Sequence, residues 1–266
     1  MTGRFGLILW IALLGLVAAP VAAQSPSAGS AGSAESAGAD TDPTNPVLFS
    51  IRDEFYNLPG GLRQNVAMLR GDTILLREAK LPGQAKGLIL RGDLPLVTFD
   101  DGSDTTTGLG EIYGQAIMVP RLSRGLMLGF GSGLVVPTAT DDRLGRGKWI
   151  AAPTVVPIWF FPRRGYAYVK LQDWFSFAGD EARQDVHYLN VTPTFLWRLG
   201  KRWWTLVDAE SNTNWKKDDH TGFRGGLLLG RMISTRAGIS LKGEFPFGGY
   251  PQTDWAVKAV FFRTRR

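Results

Sequence analysis

No cysteine occurs among the 266 residues, so no disulfide staples the fold, and the chain suits an oxidising compartment where thiols would be a liability. Beyond residue 23 no apolar run approaches eighteen residues, which excludes a membrane-crossing helix from the remainder. Any crossing must then use strands, and strands in lipid have to close into a barrel because hydrocarbon offers nothing to an open edge. Histidine is scarce as well. Only His187 and His220 are present, and neither has a serine at a spacing that would pair them on one face, which argues against a serine hydrolase. Basic residues exceed acidic ones, giving a net charge of +6. They are scattered singly along the chain without forming a stripe, so the excess does not indicate nucleic acid. Anionic lipid headgroups are the better account.

What the chain does contain begins with an export signature. Arg4 precedes an apolar run from Leu7 to Ala18, and Val21-Ala22-Ala23 supplies small residues of the cleavage type. Residues 1–23 are therefore read as a signal peptide. Residues 24–46, a Ser/Ala/Gly-rich tract that ends in Asp42-Pro43 and Asn45-Pro46, are read as a flexible linker. The remainder, 47–266, is expected to form one all-β domain.

Twelve runs of strand length follow, at 47–57, 62–75, 86–99, 109–120, 125–137, 148–162, 165–179, 186–200, 202–215, 222–234, 236–248 and 254–263. Each is long enough for a tilted crossing, and twelve is even, as single-chain bacterial barrels prefer. Alternation is clear in 165–179, where Ala167, Val169, Leu171, Phe175 and Phe177 oppose Tyr166, Tyr168, Lys170, Gln172 and Trp174. The same period of two sets Leu189, Val191, Phe195 and Trp197 against Tyr188, Asn190, Thr192 and Thr194, and Ile239, Leu241, Phe245 and Phe247 against Ser240, Lys242 and Glu244.

A soluble sandwich would alternate too, so the aromatic residues carry more of the argument. Trp149, Phe160, Phe161, Tyr166, Trp197, Trp203, Trp204, Trp215 and Trp255 fall near strand ends, where membrane-interface girdles would put them. From the third run onward, longer polar links at 100–108, 138–147, 180–185, 216–221 and 249–253 alternate with tight ones at 121–124, 163–164, 201 and 235. This is the phase of long outer loops and short periplasmic turns. The first two links, 58–61 and 76–85, break that phase.

The fold expected is thus a closed antiparallel transmembrane β-barrel of about twelve strands. Its polar face carries Lys170, Gln172, Arg198, Asp208, Glu210, Lys242, Glu244 and Lys258, candidates for a charged lumen that selects what passes, or for a hydrogen-bonded fill of a narrow barrel. The link Thr138–Gly147, with Asp141, Asp142, Arg143, Arg146 and the adjoining Lys148, is a candidate outer-loop constriction, or else a salt-bridged loop tip. Gly129-Phe130-Gly131-Ser132-Gly133 has neither the following helix nor the Lys-Ser/Thr of a phosphate loop and fits a bent barrel strand. Asn190-Val191-Thr192 spells a glycosylation sequon by chance. No catalytic residue, metal or cofactor is expected.

Several blocks resemble the outer-membrane family named for a MetA pathway of phenol degradation. They are Gln64-Asn65-Val66, the run Gly108 to Tyr113, the run Pro137 to Trp149, the run Gln172 to Asp180, and the pairs Asn214-Trp215 and Asp254-Trp255. The resemblance spans roughly residues 46–262 and implies a barrel that moves small, hydrophobic or aromatic molecules. Its implied surroundings are the outer membrane, lipopolysaccharide and the barrel assembly machinery. One departure is that Phe261-Phe262 is followed by Arg263-Thr264-Arg265-Arg266, whereas barrels usually close on an aromatic residue. A lipid-modifying barrel enzyme and an adhesive or structural barrel are the alternatives.

Overall fold

A computed structural model describes residues 47–75, 84–161, 164–199 and 202–264; the signal-peptide and linker readings lie outside them. Thirteen strands follow in order: β1 (Val47–Asn57), β2 (Arg63–Leu75), β3 (Gln84–Asp100), β4 (Thr105–Leu109), β5 (Ile112–Pro120), β6 (Leu126–Val136), β7 (Lys148–Phe161), β8 (Gly165–Gly179), β9 (His187–Arg198), β10 (Trp203–Asn214), β11 (His220–Met232), β12 (Ala237–Gly249) and β13 (Trp255–Thr264). Every pairing is antiparallel, and β1 pairs with β13 from Val47↔Thr264 to Asn57↔Trp255. That last pairing closes the sheet on itself and removes its edges.

The extra strand corrects the sequence reading of 100–108 as a loop. Residues 105–109 pair with Asp100 to Leu96 of β3, while β5 pairs with the earlier half of the same strand. Between Leu96↔Leu109 and Asp93↔Tyr113 the register slips by one residue. Thus β4 and β5 are two halves of one wall position, broken at Gly110 and Glu111 as a bulge would break them. A side chain at Gly110 would sit 2.7 Å from Val97 and 3.1 Å from Pro95, so the break needs glycine. Around the circumference the barrel has twelve positions.

Both described chain ends, Val47 and Thr264, lie at one end of the cylinder with the tight turns that follow β5, β7, β9 and β11. This is the turn end. The other, the loop end, carries the connections 58–62, 101–104, 137–147, 180–186, 215–219 and 250–254.

Alternating burial follows from the period of two. Along β12, for example, Gly238, Ser240, Lys242 and Glu244 are buried while Ile239, Leu241 and Phe245 are exposed. The outer wall therefore carries the exposed Leu, Val, Phe and Trp side chains, and the polar residues point inward. Three aromatic residues expected in the outer girdles are corrected. Tyr166 and Trp204 are 1% and 3% exposed and sit inside, and Phe160 packs partly buried against the same cluster. All three are in phase with the inward-facing side chains of their own strands. Trp204 is accommodated because its cross-strand partner is Gly230, where any Cβ would overlap the indole.

Candidate functional site

From the turn end to the loop end the lumen is layered. Nearest the turns lies an apolar belt that includes Ile158, Tyr166, Leu196, Trp204, Leu206, Val260 and Phe262. Trp204 and Phe262 meet edge to face at 5.9 Å. Phe262 lies opposite Gly238 as Trp204 lies opposite Gly230. Rings laid across bare backbone fill a narrow cylinder where paired side chains would clash.

Above the belt is a charged layer built from residues that the strand register sets face to face. Arg70 is opposite Asp93 and Asp72 opposite Arg91. The first pair joins through two hydrogen bonds of 2.6 Å and the second through two of 2.9 Å, the fork geometry that arginine offers carboxylates. A second network crosses β10 to β1. Lys242 lies 2.6 Å from Asp208 and 2.7 Å from Glu244, and Lys258 lies 3.0 Å from Glu244 and 4.0 Å from Glu54. Arg224 joins Glu210 at 2.8 Å and Glu244 at 3.4 Å, and Arg52 lies 3.5 Å from Glu54. Lys242 and Lys258 are direct cross-strand neighbours, and Glu244 between them relieves the repulsion. Gly226 permits the Asp208–Lys242 contact across β11, since a Cβ there would press on both side chains. Arg70 and Glu54 are 0% exposed and Arg52 is 1% exposed, so water does not reach these members of the layer, whereas Arg224 and Glu210 keep 20% and 14% of their side chains accessible.

The loop end has two apolar clusters. One joins Tyr56, Val66, Val97, Phe99 and Ala256 to Leu144, which belongs to the long connection 137–147 and is 1% exposed. The other stacks Tyr113, Trp174 and Tyr188, with centroids 5.6 and 5.8 Å apart. The long connection therefore folds over the mouth. Glu111 accepts hydrogen bonds from the backbone N–H of Arg146 and Gly147 at 2.8 Å each. Arg183 donates to the carbonyls of Asp142, Gly145 and Arg146, and Arg143 bridges Asp104 at 2.9 Å and Asp141 at 3.3 Å. Lys148, first in β7, points inward and reaches Asp185 at 3.1 Å. Three of the loop-end carboxylates are held low, while burial raises Glu111. The Ser103 hydroxyl and the Ser103 and Asp104 amides bring Asp101 to about 2. The Arg143 amide and guanidinium lower Asp141, and the Lys148 ammonium lowers Asp185.

Beside this strap a vestibule open to solvent is lined by Tyr56, Arg146, Tyr188, Phe223, Tyr250 and Gln252. Glu210, Asn212 and Arg224 line it too, so it runs from the mouth down to the charged layer.

Of the residues singled out in the sequence, Lys170, Gln172, Asp208, Glu210, Lys242, Glu244 and Lys258 all face the lumen, and Gln172 donates to the Tyr113 hydroxyl at 3.1 Å. Arg198 lies exposed at the last residue of β9, outside the charged layer. Sequence reasoning missed Arg52, Glu54, Arg70, Asp72, Arg91 and Asp93. The same alternation marks them in the first three runs, where the irregular link lengths obscured it. It also missed Glu111 and Arg183, which act from outside regular strands and leave no periodic trace.

The two histidines are both at the loop end. His187 faces outward, 3.5 Å from Asp173 and beside Phe175 and Trp215, and His220 stacks on Tyr250 at 3.8 Å. Among the described residues no serine hydroxyl is hydrogen-bonded to either imidazole, and no group of three or more metal-ligating side chains occurs. The turn end differs in charge from the loop end. Arg121, Arg124, Arg164, Arg198, Arg202 and Arg231 are exposed there, and no exposed aspartate or glutamate accompanies them among the described residues.

The sequence matches no family model and no curated protein. Solved structures do match. The COG4313 outer membrane channel from Pseudomonas putida F1 aligns with a TM-score of 0.66 at 12% identity, covering 83% of this chain and 96% of that one. The NanC porin aligns at 0.57 with 6% identity, covering 81% and 98%. The KdgM porin, solved with a disordered oligogalacturonate, aligns at 0.54 with 8% identity, covering 82% and 99%. The fold is that of outer-membrane channels. The barrel implied by the resemblance to the phenol-degradation family is therefore present, whereas membership of that family has no match behind it.

Proposed function

We propose that the protein is an outer-membrane channel for small solutes that rests shut. One observation carries the reading: the open vestibule descends to Glu210 and Arg224, which are themselves members of the buried charged layer. A barrel that only needed a core would be no less stable with apolar residues in that layer, since desolvating ion pairs offsets most of their attraction. Ionic groups continuous with an open mouth are groups that hydrate when the lumen opens. What then stands between the vestibule and the far side is the apolar belt around Trp204 and Phe262.

The solute class is set by the lining. Arg146 and Arg224 share the vestibule with Glu210, so its lining carries a single net positive charge, and Tyr56, Tyr188, Phe223 and Tyr250 add aromatic surface. This favours small, weakly charged molecules with apolar or aromatic parts, as the resemblance to the phenol-degradation family implies. No catalytic role is proposed.

The test is single-channel recording from purified protein in planar bilayers. Brief, small, discrete openings are expected from the unaltered chain. Trp204→Ala with Phe262→Ala should prolong and enlarge them. Silence from both proteins, each shown to be folded and inserted, would remove the channel reading.

A further inference from the structure

The arginine crown at the turn end lies outside the buried charged layer, and its setting indicates a partner. We propose that this end is a docking surface for anionic phospholipid headgroups in the adjoining leaflet. The inference rests on the reading that the barrel sits in a membrane, and not on whether it conducts.

Three observations carry it. The first is sign. Arg121, Arg124, Arg164, Arg198, Arg202 and Arg231 are exposed, no ion pair to any of them occurs among the described residues, and Arg263 extends the series on β13. At the opposite end, five of the six connections carry aspartate. The second is distribution. These arginines follow the turns after β5, β7 and β9 and continue on β11 and β13, so they extend around most of the cylinder, from β5 to β13, instead of forming a patch on one side. An arc this wide matches a continuous plane of headgroups, whereas a docked acidic protein would need one concentrated face. The third is stacking. The Arg231 guanidinium lies over the Trp203 ring at 5.1 Å and that of Arg164 over Trp197 at 5.6 Å.

Trp203 and Trp159 are each 42% exposed on the outer wall near these turns. Outward indoles settle at the boundary between hydrocarbon and headgroups, which fixes the depth of the arginines stacked on them. A guanidinium held flat on a ring keeps its N–H edge free for two parallel hydrogen bonds to a phosphate oxygen pair. Lysine in the same place would supply charge without the fork.

The experiment is native mass spectrometry of the full chain, folded in detergent and titrated with phosphatidylglycerol or with phosphatidylcholine of the same acyl chains. The unaltered protein should retain phosphatidylglycerol preferentially, and the preference should shrink as salt rises. Arg164→Gln combined with Arg231→Gln should weaken it by roughly tenfold or more. The loop-end control Lys216→Gln with Lys217→Gln should leave it unchanged, and inorganic phosphate should fail to displace the lipid. Heat-dependent mobility in gels reports folding of each variant, and the salt titration on the unaltered chain stands in if the arginine variant does not fold. Equal retention of the two lipids, a preference untouched by the arginine variant, or an equal loss in the lysine control would each overturn the proposal. A barrel silent in planar bilayers that still selects phosphatidylglycerol would lose its channel role and keep this one.

Discussion

Buried charge is where single residues decide most in this barrel. Arg70 and Asp93 face each other across β2 and β3 with no exposure to water. Asp93→Asn leaves a guanidinium in a dry interior with half its partner's charge-assisted bonding gone. The expected loss is about 3–5 kcal/mol, read as a lower urea midpoint for unfolding from vesicles. Replacing both partners together, Arg70→Met with Asp93→Leu, should cost far less, because no uncompensated charge remains. If the single and double variants unfold at the same midpoint, the pair is not acting as a pair. Glycine makes the converse case. Gly230→Val would force a side chain into the Trp204 indole, and overpacking of this kind costs about 1–3 kcal/mol. Neither effect can be read from residue type alone. Asp93 and Gly230 look like ordinary strand residues until the register shows what lies opposite, and register is the quantity a single sequence does not print.

At the scale of elements, strands were far more legible than connections. Eleven of the twelve runs fall on one strand each with similar bounds, because an apolar outer wall forces a period of two on every crossing. The twelfth, 109–120, hides a break. Nothing in Gly108 to Tyr113 reveals that β4 ends and β5 begins with a one-residue slip, since the slip is set by how Val97 and Leu144 crowd Gly110 and Gly108 from elsewhere in the chain. The connection 137–147 was similarly readable as charged but not as folded inward. Its anchor, Leu144, is one apolar residue amid Asp, Arg and Gly. Two aspartates at the strap carry a pH dependence of one sign, while Glu111, raised by burial, works in the opposite sense. Asp141 and Asp185 are held below their ordinary value of 3.8 by Arg143 and Lys148. Groups depressed on folding contribute stability that is complete above their unfolded value and is lost as pH falls through the folded one. Through these two groups, proteolysis or hydrogen exchange of 137–147 should accelerate only below about pH 4. Acceleration already near pH 6 would point to another titrating group. Arg183→Ala, which removes the contacts to three loop carbonyls, should give the faster rate at neutral pH.

Taken whole, the molecule is a cylinder whose outer wall satisfies lipid and whose interior is stoppered at two heights. The strap and its apolar cluster restrict the loop end, and the belt around Trp204 and Phe262 closes the turn end. Constrictions along one path act in series, so the narrower dominates the total resistance and relieving the wider one changes little. The vestibule already bypasses part of the strap, which makes the turn-end belt the narrower of the two. Arg183→Ala alone should then leave single-channel conductance close to that of the unaltered protein, and Trp204→Ala with Phe262→Ala should raise it. All three substitutions together should exceed the sum of the separate gains, because the strap limits flow only after the belt has been opened. Strictly additive gains would mean two parallel routes through the lumen, and a large effect of Arg183→Ala alone would move the governing constriction to the mouth.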